Sequence, residues 1–140
     1  MASGPEGLLH KRLKNLPRSL IVRLENRVNL GLPDCLVALP PTKYVLIELK
    51  VVTRGKKVRL SPHQIAFALS HSTIGLPTYI LIEWHPKATT KLAEKRLLLY
   101  SGCQAQELYL HGVDTPAMAS WALNAVDWED LRAQLLRSDV

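Results

Sequence analysis

The hydrophobic pattern changes period several times along the chain, and each change marks an element. Leu9, Leu13 and Leu16 recur at helical spacing behind a Ser3-to-Glu6 capping pattern with Pro5 in the first turn. This predicts an opening helix that Pro17 stops, with His10, Lys11, Arg12 and Lys14 on its polar side. Residues 20–28 alternate in part, as in a strand, with Ile21, Arg23, Glu25 and Arg27 on one side. A turn at residues 29–33 leads through Asp34 into a short apolar run, 35–39, which Pro40-Pro41-Thr42 ends. Residues 44–52 give the clearest strand, β-branched and nearly continuous, as a buried central strand should be. The basic stretch 54–59 reads as a loop or hairpin tip. Ser61, Pro62 and Gln64 then form a second capping pattern, for a helix to about Thr73 with Gly75 beyond it. Residues 78–84 read as another buried strand, and 96–100 as an edge strand. A short helix follows Ser101-Gly102 to about Leu110, and a last one starts at Asp127 with Leu131, Leu135 and Leu136 on its apolar side. The order indicates one α/β domain over residues 1–140, with a mixed β-sheet flanked by helices.

Within the clearest strand, Glu48 and Lys50 break the apolar run. Two residues apart, they leave from the same face, about 7 Å between Cα atoms, together with Tyr44 and Leu46. A charged pair in a buried strand is costly unless it is compensated or binds an ion. The simplest compensation is a Glu48–Lys50 ion pair at a strand end facing solvent. Asp34 changes that picture, because an antiparallel neighbour would bring it beside Glu48. Two carboxylates and a lysine at a strand bend make a site for a hard cation.

Composition adds a charge asymmetry. The 140 residues carry a net charge of +6. Residues 1–70 hold 12 Lys and Arg against four acids, for +8, whereas residues 71–140 hold 6 against 8, for −2. A one-sided positive field suits a polyanion partner, although it also serves solubility. The acids of the basic half are Glu6, Glu25, Asp34 and Glu48.

The ordered set Arg23-Leu24-Glu25-Asn26, Gly31-Leu32-Pro33-Asp34, Ile47-Glu48-Leu49-Lys50, Leu60-Ser61-Pro62-His63-Gln64 and Gly75 resembles the PD-(D/E)XK nucleases. It is nearest to their phage-type Holliday junction resolvase-like branch and the related virus-type replication-repair nuclease domains. The resemblance covers about half of the chain and implies a restriction-endonuclease-like fold. It further implies that Asp34, Glu48 and the Leu49 carbonyl hold Mg²⁺ or Mn²⁺, and that Lys50 orients or activates the attacking water. Gln64 matches a helix glutamine found near such sites, and its alternative role is the cap with Ser61; one amide is not expected to serve both. Glu6 matches the helix glutamate of junction resolvases, against a cap with Ser3. Glu25 competes with it for the place of third carboxylate, or pairs with Arg23 or Arg27.

The expected partner is DNA, branched by preference, and a two-fold junction needing two cuts implies a homodimer. Arg54, Lys56, Lys57 and Arg59 would grip phosphates, with Lys11, Arg12, Lys14, Arg18, Arg23 and Arg27 extending that face; a solvated hairpin tip is the plainer reading of 54–59. Segment 116–137, apolar and carrying Trp121 and Trp128, is the candidate dimer surface. The five histidines and two cysteines lack zinc spacing, and no Gly-rich phosphate loop is present, so neither zinc nor a nucleotide cofactor is expected. Without a secretory pattern, a membrane-length apolar run or a disulfide framework, an intracellular, cytoplasmic setting is expected, phage-encoded if the resemblance extends that far.

Overall fold

The chain folds around one six-stranded sheet whose strands lie side by side in sequence order. The computed structural model describes residues 5–24 and 31–137. The elements are α1 (Pro5–Leu13), β1 (Leu20–Arg23), β2 (Cys35–Leu39), β3 (Lys43–Val52), α2 (Pro62–Thr73), β4 (Thr78–Trp84), β5 (Arg96–Ser101), α3 (Ala105–His111), β6 (Ala119–Ala122) and α4 (Trp128–Leu136). All neighbours pair antiparallel except β3 and β4, which run parallel and are joined through α2. A parallel pair needs such a crossover because a tight turn cannot reverse the chain twice.

Both faces of the sheet carry a core. On one side, Leu9 and Leu13 of α1 and Leu131 and Leu135 of α4 pack on Val45, Ile47, Leu49, Tyr79, Leu81, Leu97 and Leu99. On the other, α2 and α3 cover Val52, Ile80, Ile82, Leu98 and Tyr100, with Val58 and Leu60 of the preceding loop. Central β4 is buried on both faces, which explains its unbroken apolar run. The mixed α/β sheet flanked by helices is the fold class that the pattern predicts.

Three expectations change. Strand β5 is not an edge, because β6 pairs outside it from Arg96↔Ala122 to Leu99↔Ala119. The segment Ala-Ser-Trp-Ala gives no strand signal of its own, and its place comes from the neighbour. Of the two readings of the basic stretch, the loop holds and the hairpin tip falls, since β3 ends at Val52 and the chain runs on into α2. Finally, the apolar side chains of 116–137 are internal. Trp121 is 8% exposed, Leu131 and Leu135 are fully buried, and Met118, Val126 and Trp128 pack against the same core. That segment is scaffold and not a free dimer surface.

Candidate active site

The site forms where β2 and β3 part. Their pairing runs from Leu39↔Lys43 to Cys35↔Ile47 and then stops. One residue further, the Asp34 carbonyl accepts from the Leu24 N–H at 2.7 Å, which fixes its backbone. The Asp34 side chain then takes the place of a strand: its Oδ2 accepts from the Leu49 N–H at 2.8 Å. The N–H and C=O of one strand residue project to the same side, so the Leu49 carbonyl opens toward the same gap. Glu48, one residue earlier on β3, stands beside Asp34, close enough that Asp34 raises its pKa. Gly31 lets this turn approach α2 closely; a Cβ there would collide with the His63 carbonyl.

The N-terminus of α2 closes the other side. Ser61 caps the helix in a complete capping box: Ser61 Oγ accepts from the Gln64 N–H at 3.1 Å, and Gln64 Oε1 accepts from the Ser61 N–H at 3.0 Å. The same Oε1 accepts from Lys50 Nζ at 3.1 Å, while Nε2 donates to Glu48 Oε2 at 3.2 Å. One amide therefore serves both the cap and the site, against the expectation that it would have to choose. It can do so because a carbonyl oxygen has two lone pairs and the amide nitrogen remains free to donate. Lys50 Nζ also lies 3.5 Å from Glu48 Oε2, so the ion pair exists, but in a buried setting and not facing solvent.

The electrostatics are unbalanced. Glu48 is 6% exposed. Burial first, then the Asp34 charge, push its carboxyl up to about 9, and Lys50 offsets only part of that. Glu6, in the first turn of α1, lies on the cleft wall; burial raises its pKa, with Lys50 opposing and Asp34 adding to the rise. Among the described residues no three His, Cys, Asp or Glu side chains gather closely enough to hold a metal by themselves. The compact donor set is thus two carboxylates and a backbone carbonyl. These are hard oxygens short of positive charge, the set that suits Mg²⁺ or Mn²⁺ with water or substrate completing the shell.

Two adjoining clefts meet at Lys50. One, of about 330 Å³, is lined by Glu6, Lys50, Arg54, Lys57 and Arg59 among others. The second, of about 560 Å³, adds Ser61, Gln64 and Tyr109. The basic loop that walls them is anchored: Trp84 Nε1 donates to the Gly55 carbonyl at 3.0 Å, and the Val113 N–H to the Lys56 carbonyl at 2.9 Å. Arg54, Lys57 and Arg59 are exposed and line the clefts.

The other basic candidates divide. Lys56 turns away to Asp114 at 3.0 Å, Arg18 makes a two-point pair with Glu129 at 2.8 and 3.1 Å, and the Arg12 Nε donates to Glu83 at 3.0 Å. Each already has an acidic partner within the fold, Lys56 and Arg18 in exposed pairs and Arg12 in a part-buried one. Lys11 on α1 and Lys14 just beyond it are exposed. Arg23 is half-buried, with its Nη1 unpartnered among the described residues. Glu25, Arg27 and the Ser3 cap lie outside the described residues. Two residues that the pattern did not single out also belong here. His10, one turn after Glu6, has a buried Nε2 without a partner among the described residues, and Asp34 and Arg23 both influence its charge. Tyr109 is 49% exposed on the second cleft. The i to i+4 step from Glu6 was the available signal for His10; for Tyr109, held there by α3, there was none.

No family model and no curated protein matches the chain. Among solved structures, one described as a "VRR_NUC domain" is similar, at 21% identity and a TM-score of 0.44, over 76% of this chain and 95% of that one.

Proposed function

We propose that the protein is a divalent-cation-dependent endonuclease that hydrolyses DNA phosphodiester bonds, with a preference for branched DNA such as a four-way junction. The observation that carries this reading is the buried, undercompensated Glu48 carboxyl beside the half-buried Asp34. Lys50 stands beside it, and it opens on clefts walled by Arg54, Lys57 and Arg59. Asp34, Glu48 and the Leu49 carbonyl would hold Mg²⁺ or Mn²⁺, which supplies Lewis acidity to the scissile phosphate. Lys50 orients the attacking water and counters the charge that builds on the phosphoryl oxygens. Gln64 fixes the Lys50 ammonium and one Glu48 oxygen, so both are placed before substrate arrives. Glu6, on the cleft wall with Lys50, supplies the third carboxylate in this reading. The arginines and lysine of the loop bind phosphates on either side of the cut and set position, not sequence.

The test is cleavage of matched four-way junction, flap and linear duplex with Mg²⁺ or Mn²⁺. Preferential, paired cutting of the junction is expected. Equal cleavage of all three would reduce the reading to a general nuclease, and binding without cleavage would make the domain a silent DNA-binding module. Asp34→Ala and Lys50→Ala should abolish cutting and leave junction affinity largely unchanged.

A further inference from the structure

The two clefts that meet at Lys50 share Lys57 and Arg59 and differ in the rest of their walls. The first adds Glu6 and Arg54, charged groups suited to an ion and to phosphates. No acid among the described residues lines the second, which adds Val58, Leu60 and Tyr109. Val58 and Leu60 are buried apolar wall, whereas Tyr109 is 49% exposed. At about 560 Å³ the second cleft falls within the roughly 300–1,000 Å³ usual for sites that take small organic molecules.

Tyr109 is held in a fixed relation to the cations. Its neighbour Leu108 and Ala105, both on α3, are fully buried in the second core. After α3, Gly112 has a φ of +60°, and a Cβ there would collide with the Lys56 carbonyl. The Val113 N–H donates to that same carbonyl at 2.9 Å, and Asp114 pairs with Lys56 Nζ at 3.0 Å. Three successive residues thus fasten the end of α3 to the basic loop. The ring of Tyr109 and the charges of Lys57 and Arg59 are set before any ligand arrives.

We propose that the second cleft is a nucleobase subsite, in which an unpaired base beside the scissile phosphate stacks on Tyr109. The subsite rests on the nuclease reading and gives it a source of selectivity. One nucleotide carries both chemistries that the two clefts offer: an anionic phosphate and, next to it, a flat base with apolar faces. Lys50 stands at the junction, Lys57 and Arg59 line both sides, and the aromatic ring belongs to the second cleft alone. A base inside a duplex has both faces covered and reaches Tyr109 only by leaving the stack, which is costly. A base already freed at a branch point avoids that cost. Every base has a π face, so the subsite accepts any of the four. Selectivity for branched DNA then resides in Tyr109, because the cations meet the phosphates of any duplex alike.

Fluorescence anisotropy of the full chain on labelled DNA, without divalent cation, tests this apart from cleavage. The probes are a flap, the same flap with one abasic residue moved through the nucleotides at the branch, and a linear duplex. Wild type should bind the flap about 10-fold less tightly when the abasic residue occupies one particular position. Tyr109→Ala should lose about 10-fold on the intact flap, lose nothing further at that position, and keep its duplex affinity. Tyr109→Phe, which keeps the ring, and Leu110→Ala, the exposed neighbour on α3, should both stay within about two-fold of wild type. The abasic series uses wild-type protein and reads the subsite whether or not a variant folds. Indifference to every abasic position overturns the proposal. So does an equal loss on flap and duplex in Tyr109→Ala, or a Tyr109→Phe that behaves like alanine. Those results in a chain that still cuts DNA with Mn²⁺ remove the subsite alone. Stacking without any cleavage removes the nuclease reading and keeps the subsite, and a chain that binds no DNA overturns both.

Discussion

Glu48 and Glu83 are buried to nearly the same depth, 6% and 4% exposed, on neighbouring strands β3 and β4. Their surroundings differ. Glu83 has both oxygens taken: Arg12 Nε donates to Oε1 at 3.0 Å, and His85 Nε2 lies 2.6 Å from Oε2. Arg12 comes from α1, so this arrangement ties the helix that carries Glu6 to the sheet. Glu48 shares its lysine with Gln64 and faces a second carboxylate, Asp34. One acid is neutralised by the fold; the other is only partly compensated by it. Burial of a carboxylate is therefore not by itself a mark of chemistry, and incomplete compensation is the better one.

Exchanging each acid for its amide should separate the two roles most sharply. Glu48→Gln should lower cleavage by more than about 10³-fold, because a cation ligand and its charge are lost. The cation-free fold should be as stable as the wild type or more so, since a neutral amide replaces a carboxyl whose pKa is already pushed up to about 9. Glu83→Gln should do the reverse. Breaking a buried pair should cost about 3 kcal/mol in a urea melt, while cleavage per folded molecule changes by no more than about two-fold. Loss of fold in the first variant, or loss of turnover by folded protein in the second, would sink the distinction.

Only one of these acids was legible in the sequence. Glu48 interrupts a strand and stands 14 positions after Asp34, so spacing and strand periodicity exposed it. Glu83 sits near the end of an apolar run, and its partner Arg12 is 71 positions away. Contacts of that separation leave no periodic trace, and Arg12 therefore read as a free basic residue. The same holds for Arg18 with Glu129, 111 positions apart. Elements with strong internal signals, such as β3, α2 and β4, were placed nearly to the residue. Strand β6 was missed because its pairing with β5, and not its composition, makes it a strand. The dual role of Gln64 was half legible: the capping pattern is local, while the approach of Lys50 depends on how α2 docks on β3.

The comparison predicts a pH-dependent response to cation. The Glu48 pKa is raised from 4.5 to about 9 in the folded protein, so the folded state holds a proton that the unfolded chain releases. The stability this group contributes is fully present below about 4.5 and is lost as pH rises toward 9, in the absence of cation. In the proposed reading a divalent ion would take the proton's place. Mn²⁺ in excess should therefore raise the thermal midpoint by about 4 °C at pH 8 and by less at pH 5. In Glu48→Gln the gain should shrink at both pH values. An equal gain at pH 5 and 8 in the wild type would mean that the ion binds elsewhere.

The smallest effect is the most discriminating for Gln64. The chain contains a second capping box of the same chemistry: Gln104 Oε1 accepts from the Ser101 N–H at 3.0 Å, on the turn that opens α3. Its Nε2 donates to the Pro116 carbonyl at 2.8 Å, where Gln64 instead reaches Glu48. Alanine at either position removes a cap and should cost about 1 kcal/mol. Gln64→Ala also frees the Lys50 ammonium, and should lower single-turnover cleavage about 10-fold at saturating DNA, with affinity unchanged. Gln104→Ala should leave cleavage per folded molecule as it was. If both variants slow cleavage alike, Gln64 acts through helix stability alone; a difference between them isolates its hold on Lys50 from its hold on the helix.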